Sequence, residues 1–221
     1  MIKLVIDPGH GGSDPGAQGN GLIEKNVNLN IALRVAQILS GRYADHIDFE
    51  MTRTKDTSVS LAERVALAHQ IGANWFLSIH ANAHSSPAVR GYEDYRHPSA
   101  SQLSVQYHQN IHLHLSDVFR KSGSPNRGQK TANFYVLRMT RMPATLLECG
   151  FLTNREDALL LANYEFLDVL SNAIVASILD IFNIPAKDDV EFKHQLEALG
   201  KAIQRTKEEY DILEKRLRGL L

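Results

Sequence analysis

Apolar positions along this chain switch repeatedly between a two-residue and a 3.6-residue period, the marks of strand and helix. Ile2 to Ile6 is a short apolar run of buried-strand type, and Val27, Ile31, Val35, Ile38 and Leu39 then recur at helical spacing. Ile47, Phe49 and Met51 alternate as in a strand. Ser60-x-x-Glu63 is a capping-box pattern opening a helix to about Ile71. Trp75 to Ile79 predicts the next strand, and Leu103, Tyr107, Ile111, Leu115, Val118 and Phe119 fall on one helical stripe. Further strands are predicted at 134–138 and 144–148, with helices from about Asn154 to Phe182. Strands alternating with helices predict an α/β fold: a mostly parallel twisted sheet flanked by helices on both faces, with the site at the strand C-termini.

The pattern changes near Pro185, which lacks an N–H and suits the stop of a helix. A catalytic domain over 1–185 and a C-terminal amphipathic helix over 186–221 are expected. In the second segment Phe192, Leu196, Leu199, Ile203, Tyr210, Leu213, Leu217 and Leu220 alternate as a and d positions, with Thr206 the polar intruder. Such a seam predicts a coiled coil, and so a homodimer through residues 187–221, or a helix folded back on its own domain.

Composition narrows the function classes. Lys plus Arg number 24 against 25 Asp plus Glu, a formal net charge of −1. That leaves no field to hold nucleic acid or an anionic membrane, and neither a nucleic-acid partner nor membrane insertion is expected. The single cysteine cannot form an internal disulfide. The apolar stretch at Met1–Ile6 is too short for a signal peptide, so synthesis in the cytoplasm is expected. Ten histidines with almost no cysteine direct attention to imidazole metal sites.

Three potential ligands stand where elements end. His10 follows the first strand in Asp7-Pro8-Gly9-His10-Gly11-Gly12, Glu24 closes the next loop, and His80 follows the strand Trp75–Ile79. Two imidazoles and one carboxylate suit Zn²⁺ with a fourth position open, the pattern of a catalytic site. Spacings of 14 and 56 residues form no local metal motif, so two polar loop histidines remain the plain alternative. Glu148 ends the apolar run Pro143–Leu147, where a carboxylate is costly unless function or charged partners hold it.

Taken together, DPGHGGSDPGAQGNGLIEKN at 7–26, TRTKD at 52–56, SLAERVALAH at 60–69, FLSIHANA at 76–83, RGYE at 90–93, RGQKTANFYVL at 127–137 and PATLLECGFLTN at 143–154 resemble the zinc-dependent N-acetylmuramoyl-L-alanine amidases of the amidase-3 type. The resemblance covers about residues 2–182. It implies zinc ligands His10, Glu24 and His80, a catalytic Glu148, and hydrolysis of the amide between N-acetylmuramic acid and L-alanine in peptidoglycan. A zinc peptidase cutting within the stem peptide and a non-catalytic wall-binding regulator are the competing readings. A phage or prophage endolysin released by a holin is the expected biology, with a sporulation enzyme freed by cell lysis as the alternative.

Other residues receive smaller roles. Cys149 reads as a small core residue. His108 and His112, at i, i+4 spacing without a third ligand in view, are expected to face solvent, and His84 and His97 to sit in polar loops. Arg53 and Arg64 are expected to form structural ion pairs. Asn82 is a candidate to orient a ligand. Arg120 to Lys130 is read as a loop with no acid, from which Arg127 and Lys130 are candidates to meet the carboxylates of a stem peptide.

Overall fold

The computed structural model describes residues 1–187 together with 201, 205, 206 and 209. Contacts divide the chain into Met1–Lys187 and Asp188–Leu221, and every element below belongs to the first unit. The seam expected from Phe192 to Leu220 lies, apart from Thr206, outside the described residues.

β1 (Ile2–Pro8) is followed by a two-residue ladder, β2 (Gln18–Gly19) with β3 (Leu22–Ile23), and by α1 (Glu24–Arg42). β4 (Ile47–Met51), α2 (Leu61–Ile71), β5 (Trp75–Asn82) and β6 (Tyr92–Arg96) come next. Then follow α3 (Gln102–Lys121), β7 (Asn126–Thr131), α4 (Tyr135–Met139), β8 (Ala144–Phe151), α5 (Arg155–Ala162) and α6 (Tyr164–Ile181). The main sheet has the order β4-β1-β5-β8-β6-β7. All its pairings are parallel except β6 with β8. α1, α3 and α6 cover one face and α2 and α4 the other, which is the expected sheet covered on both sides.

Each cover has a sequence cause. Ser60 accepts from the Glu63 N–H while the Glu63 carboxylate accepts from the Ser60 N–H, so the capping box of α2 is complete. α6 is apolar nearly all round and correspondingly buried, from Phe166 and Leu170 through Ile174 to Ile178. It packs against α1 and α3.

Two sequence expectations need correction. The strand expected at 134–138 is the short helix α4: a brief apolar run cannot by itself distinguish strand from helix, and adjacent Val136 and Leu137 are both buried. Arg120 to Lys130 is only partly a loop, because Asn126–Thr131 forms β7 at the sheet edge. Neither β7 nor β6 announces itself, since NRGQKT and YEDYR carry mostly polar side chains. Tertiary contacts hold them in place.

One face explains where the core stops and chemistry begins. Val5, Phe76 and Leu146 pack with Val65 and Ala68 of α2 and Val136 and Leu137 of α4. Side chains on a strand return to the same face every second residue. Beyond this apolar layer the same face therefore carries Asp7 on β1, Ser78 and His80 on β5, and Glu148 on β8.

Candidate metal centre

His10, Glu24 and His80 converge, each offering one ligand atom within 4.8 Å of the others. Glu24 Oε1 lies 3.1 Å from His10 Nε2 and 2.9 Å from His80 Nδ1. The carboxylate is anchored on its other oxygen, where Oε2 accepts from the Ala17 N–H at 2.7 Å. Asn28, one turn along α1, donates to Glu24 Oε1 at 3.3 Å. Burial pushes the Glu24 carboxyl up, but the hydrogen bonds from His10 and His80 outweigh it and hold the pKa well below the usual carboxylate range. The Glu24 hydrogen bond, against the opposing effect of burial and with help from Asp14, raises the pKa of His10 above its ordinary value. Three donors drawn together with mutual protons in place are a site a cation would fit, because it can take the place of those protons.

The loop that brings His10 here is built for close approach. His10 itself adopts a left-handed φ of 62°. A Cβ on Gly9 would come within 2.1 Å of His80 Cε1, and one on Gly16 within 2.5 Å of Glu24 Oε2 and 2.6 Å of His10 Cδ2. No other residue type leaves room for the cluster. Two buried guanidinium groups clamp the loop from beneath. Arg64 pairs with Asp7 at 2.5 Å, as expected of an ion pair, and also donates to the carbonyls of Pro8 and His10. Arg53 differs from expectation: it donates to the carbonyls of Pro8, Gly9 and Lys25. Asp14, which nothing in the sequence singles out beyond its place four positions after His10, accepts from His10 Nδ1 at 2.8 Å. That contact leaves Nε2 directed at the cluster.

Glu148 sits across from His80 in the β5–β8 ladder. It is half-buried, and its Oε2 is buried with no hydrogen-bond partner. Burial, then the charges of Glu24 and Glu93, push its carboxyl well above the usual range, with Lys130 opposing. Cys149 is fully buried on the opposite side of β8, where burial followed by the charges of Glu148 and Asp94 pushes its thiol far up and makes it a poor nucleophile.

The next strand supplies the residue that sequence reasoning missed. Glu93 on β6 pairs in register with Glu148. Its Oε1 accepts from Asn82 Nδ2 at 3.0 Å and from the Tyr95 hydroxyl at 2.6 Å. Its Oε2 accepts from Arg127 Nε at 2.6 Å and from Lys130 Nζ. Asn82, Arg127 and Lys130, three separate candidates in the sequence, thus meet on one carboxylate. The acid missing from the 120–130 segment comes from a neighbouring strand.

On the opposite face, His108 and His112 do not point to solvent. His108 is buried and its Nε2 lies 2.7 Å from Asp94 Oδ1, while His112 Nδ1 lies 3.0 Å from Asp94 Oδ2. The Tyr92 hydroxyl donates to the same carboxylate at 2.6 Å. A buried acid on β6 holds both imidazoles inward. His84 and His97 remain in loops, each accepting an N–H from two residues ahead.

A cleft of about 660 Å³ opens beside the cluster, lined by His10, His80 and Glu148 at one end. Its walls are the segment Ser58–Leu61 and, on the α4 side, Phe134–Val136. Acid–base and metal groups meeting at such a cleft can bind a substrate amide, activate water against it and protonate the departing nitrogen.

Comparison with known proteins agrees with this chemistry. A family profile described as N-acetylmuramoyl-L-alanine amidase matches residues 4–180. The chain is 42% identical over 184 residues to the sporulation-specific N-acetylmuramoyl-L-alanine amidase of Bacillus subtilis strain 168, covering 83% of this chain and 69% of that protein. It is 37% identical over 190 residues to the endolysin of Bacillus phage SPP1, covering 85% of this chain and 69% of that one. Among solved structures, the catalytic domain of CwlV, an amidase of the same kind from Bacillus (Paenibacillus) polymyxa var. colistinus, superposes with a TM-score of 0.77 at 35% identity, over 84% of this chain and 100% of that domain.

Proposed function

Since the chain belongs to the N-acetylmuramoyl-L-alanine amidase family, we propose that it hydrolyses the amide joining the lactyl group of N-acetylmuramic acid to the first L-alanine of the peptidoglycan stem, with His10, Glu24 and His80 holding one zinc ion and Glu148 moving the proton. The observation that carries this is the convergence of His10 Nε2 and His80 Nδ1 on Glu24 Oε1, with Glu148 in register beside His80. Two bonds of about 2.0–2.1 Å at a tetrahedral angle separate ligand atoms by roughly 3.4 Å. The 2.9 and 3.1 Å contacts need only a small expansion to fit.

When bound, zinc supplies Lewis-acid chemistry: it polarises a carbonyl and makes water acidic enough to lose a proton near neutral pH. The rest falls to the chain. Asp14 fixes the tautomer and direction of His10. Glu148, its Oε2 free of hydrogen bonds, takes the proton of the attacking water. It then returns that proton to the alanine nitrogen as the amine leaves. Arg127 and Lys130 place two positive charges around the single carboxylate of Glu93, and the surplus charge suits the carboxylates of a stem peptide. Asn82 is held by Glu93 two residues past His80 and steadies that ligand's strand end.

The test is product chemistry on purified walls. Chelation should abolish hydrolysis and added zinc restore it. Mass spectrometry should find stem peptides beginning with a free L-alanine amine and sugars bearing an intact lactyl acid. Cuts within the stem would point instead to a peptidase, and binding without products to a wall-binding regulator.

The setting follows the relatives. The likeness to an endolysin and to a sporulation-specific amidase supports action on the bacterial wall, with holin-type release or cell lysis as the proposed route to it. The a/d seam of residues 187–221 supports a homodimer. Light scattering on the whole chain and on one ending at Lys187 tests it: a mass that doubles only in the whole chain is expected, and equal monomer masses would refute pairing.

A further inference from the structure

The cleft beside Glu148 has a wall that the amide chemistry leaves without a task. On its α4 side Phe134 is 41% exposed, and Leu61, the first residue of α2 and also part of the lining, is 53% exposed. Large apolar side chains facing water at a cleft are positioned for a ligand with an apolar face rather than for the core. The Phe134 ring is not loose: it rests on the Tyr95 ring at 5.3 Å between centroids. Tyr95 in turn has the Lys130 ammonium 5.8 Å from its own ring and donates its hydroxyl to Glu93. A single tyrosine therefore separates an apolar wall from a cationic flank.

The substrate is divided the same way. On one side of the scissile amide the stem peptide carries carboxylates. On the other stands a neutral N-acetylated sugar ring, whose axial C–H bonds make an apolar face that packs on aromatic rings while its hydroxyls stay in water. A carboxylate gains nothing at Phe134 and Leu61, and a C–H face gains nothing at Arg127 and Lys130.

Resting on the amidase reading above, we propose that Phe134 and Leu61 form the saccharide subsite, where the N-acetylhexosamine ring on the acyl side of the amide stacks on Phe134, while the stem peptide runs out over β6 and β7. The polarity of substrate binding, sugar towards α2 and α4 and peptide towards the sheet edge, follows from this. The cleft volume of about 660 Å³ falls within the range of roughly 300–1,000 Å³ typical of small-molecule sites.

The full chain loaded with zinc tests this on two soluble substrates: a disaccharide muropeptide, and the same stem peptide acylated by D-lactic acid alone. The wild type should prefer the first in kcat/KM. Phe134→Ala should raise KM for the muropeptide roughly tenfold with kcat little changed, leave the lactoyl peptide unaffected, and so erase the preference. Phe134→Leu keeps apolar contact with Tyr95 but loses the flat face, and should behave like Phe134→Ala; Phe134→Trp should restore the preference. Melting temperatures near wild type confirm that the variants are folded. An unchanged KM for the muropeptide, an equal loss on both substrates, or a wild type indifferent to the sugar would overturn the subsite while leaving the amidase reading intact. A wild type that cuts neither substrate overturns both.

Discussion

Burial and the charges of Glu24 and Glu93 make ionisation of Glu148 harder, with Lys130 opposing, and in the proposed hydrolytic step this carboxylate must accept and return one proton. Glu148→Ala should therefore retain its zinc, measured by metal analysis, while hydrolysis falls by about 10²–10⁴-fold. Cys149→Ala should keep near-wild-type activity, because the buried thiol is held far from its reactive thiolate form. The opposite pair of results, a dead cysteine variant and an active glutamate variant, would replace the metal mechanism with a thiol one. At this scale the sequence was legible where a side chain sits in an unusual place: a carboxylate ending an apolar run, a histidine inside a glycine-rich turn. It was not legible at Glu93 or Asp94, whose strand YEDYR has no apolar alternation to betray which acid faces which side.

The element that makes the site is the turn between β1 and α1, and its backbone matters more than its side chains. Gly9 has the His80 ring where its Cβ would be, at 2.1 Å from Cε1. Gly9→Ala should push His80 away from Glu24, weakening zinc binding by roughly tenfold or more, as losses of ligand orientation do. The cost to the fold should be small, because Gly9 lies beyond the apolar layer of Val5, Phe76 and Leu146. Zinc titration and thermal melting on one preparation check the two halves of this expectation. A large loss of melting temperature would show the turn to be part of the fold's stability rather than of the metal site alone. Helices and strands with clear periods, α1, α2, α3 and β5 among them, follow from the pattern of apolar residues. α4 does not, since Phe134 to Leu137 is too short a run for its period to be read.

Over the whole molecule, the two faces of the sheet divide the work. The α2–α4 face ends in the candidate catalytic groups, and the α3 face carries Asp94, buried beneath Tyr92, His108 and His112. Burial pushes the Asp94 carboxyl up, but the hydrogen bonds from His108 and His112, with that of Tyr92, outweigh it and leave the pKa below its ordinary 3.8. A depressed carboxyl pKa stabilises the fold at any pH above the ordinary value, and that contribution is lost as pH falls below 3.8 through the folded-state value. Asp94→Asn should accordingly be less stable than wild type at neutral pH, by ~3 kcal/mol, the scale of breaking a buried charged network. The gap should narrow as the pH drops below 3.8. Urea unfolding midpoints measured from neutral to acid pH give the test, and a gap independent of pH would mean that Asp94 contributes through packing rather than charge.

Periodicity and turn chemistry in the sequence determined the α/β class, the flanked and mostly parallel sheet and most helices, while His10, Glu24, His80 and Glu148 became the candidate site through the family resemblance that the order of motifs carries. The elements were legible because helices and strands bury fixed faces, and because glycine-rich turns and interrupted apolar runs are local signals. Tertiary structure alone decided what surrounds those residues. Pairing β6 antiparallel to β8 puts Glu93 beside Glu148, and the sheet edge brings Arg127 and Lys130 to it from more than thirty residues away. The inward turn of His108 and His112 waited on Asp94, and the carbonyl clamp of Arg53 on a loop folded against it. Such contacts join polar groups distant in sequence, and a polar side chain carries no period that says which partner will satisfy it once it is buried.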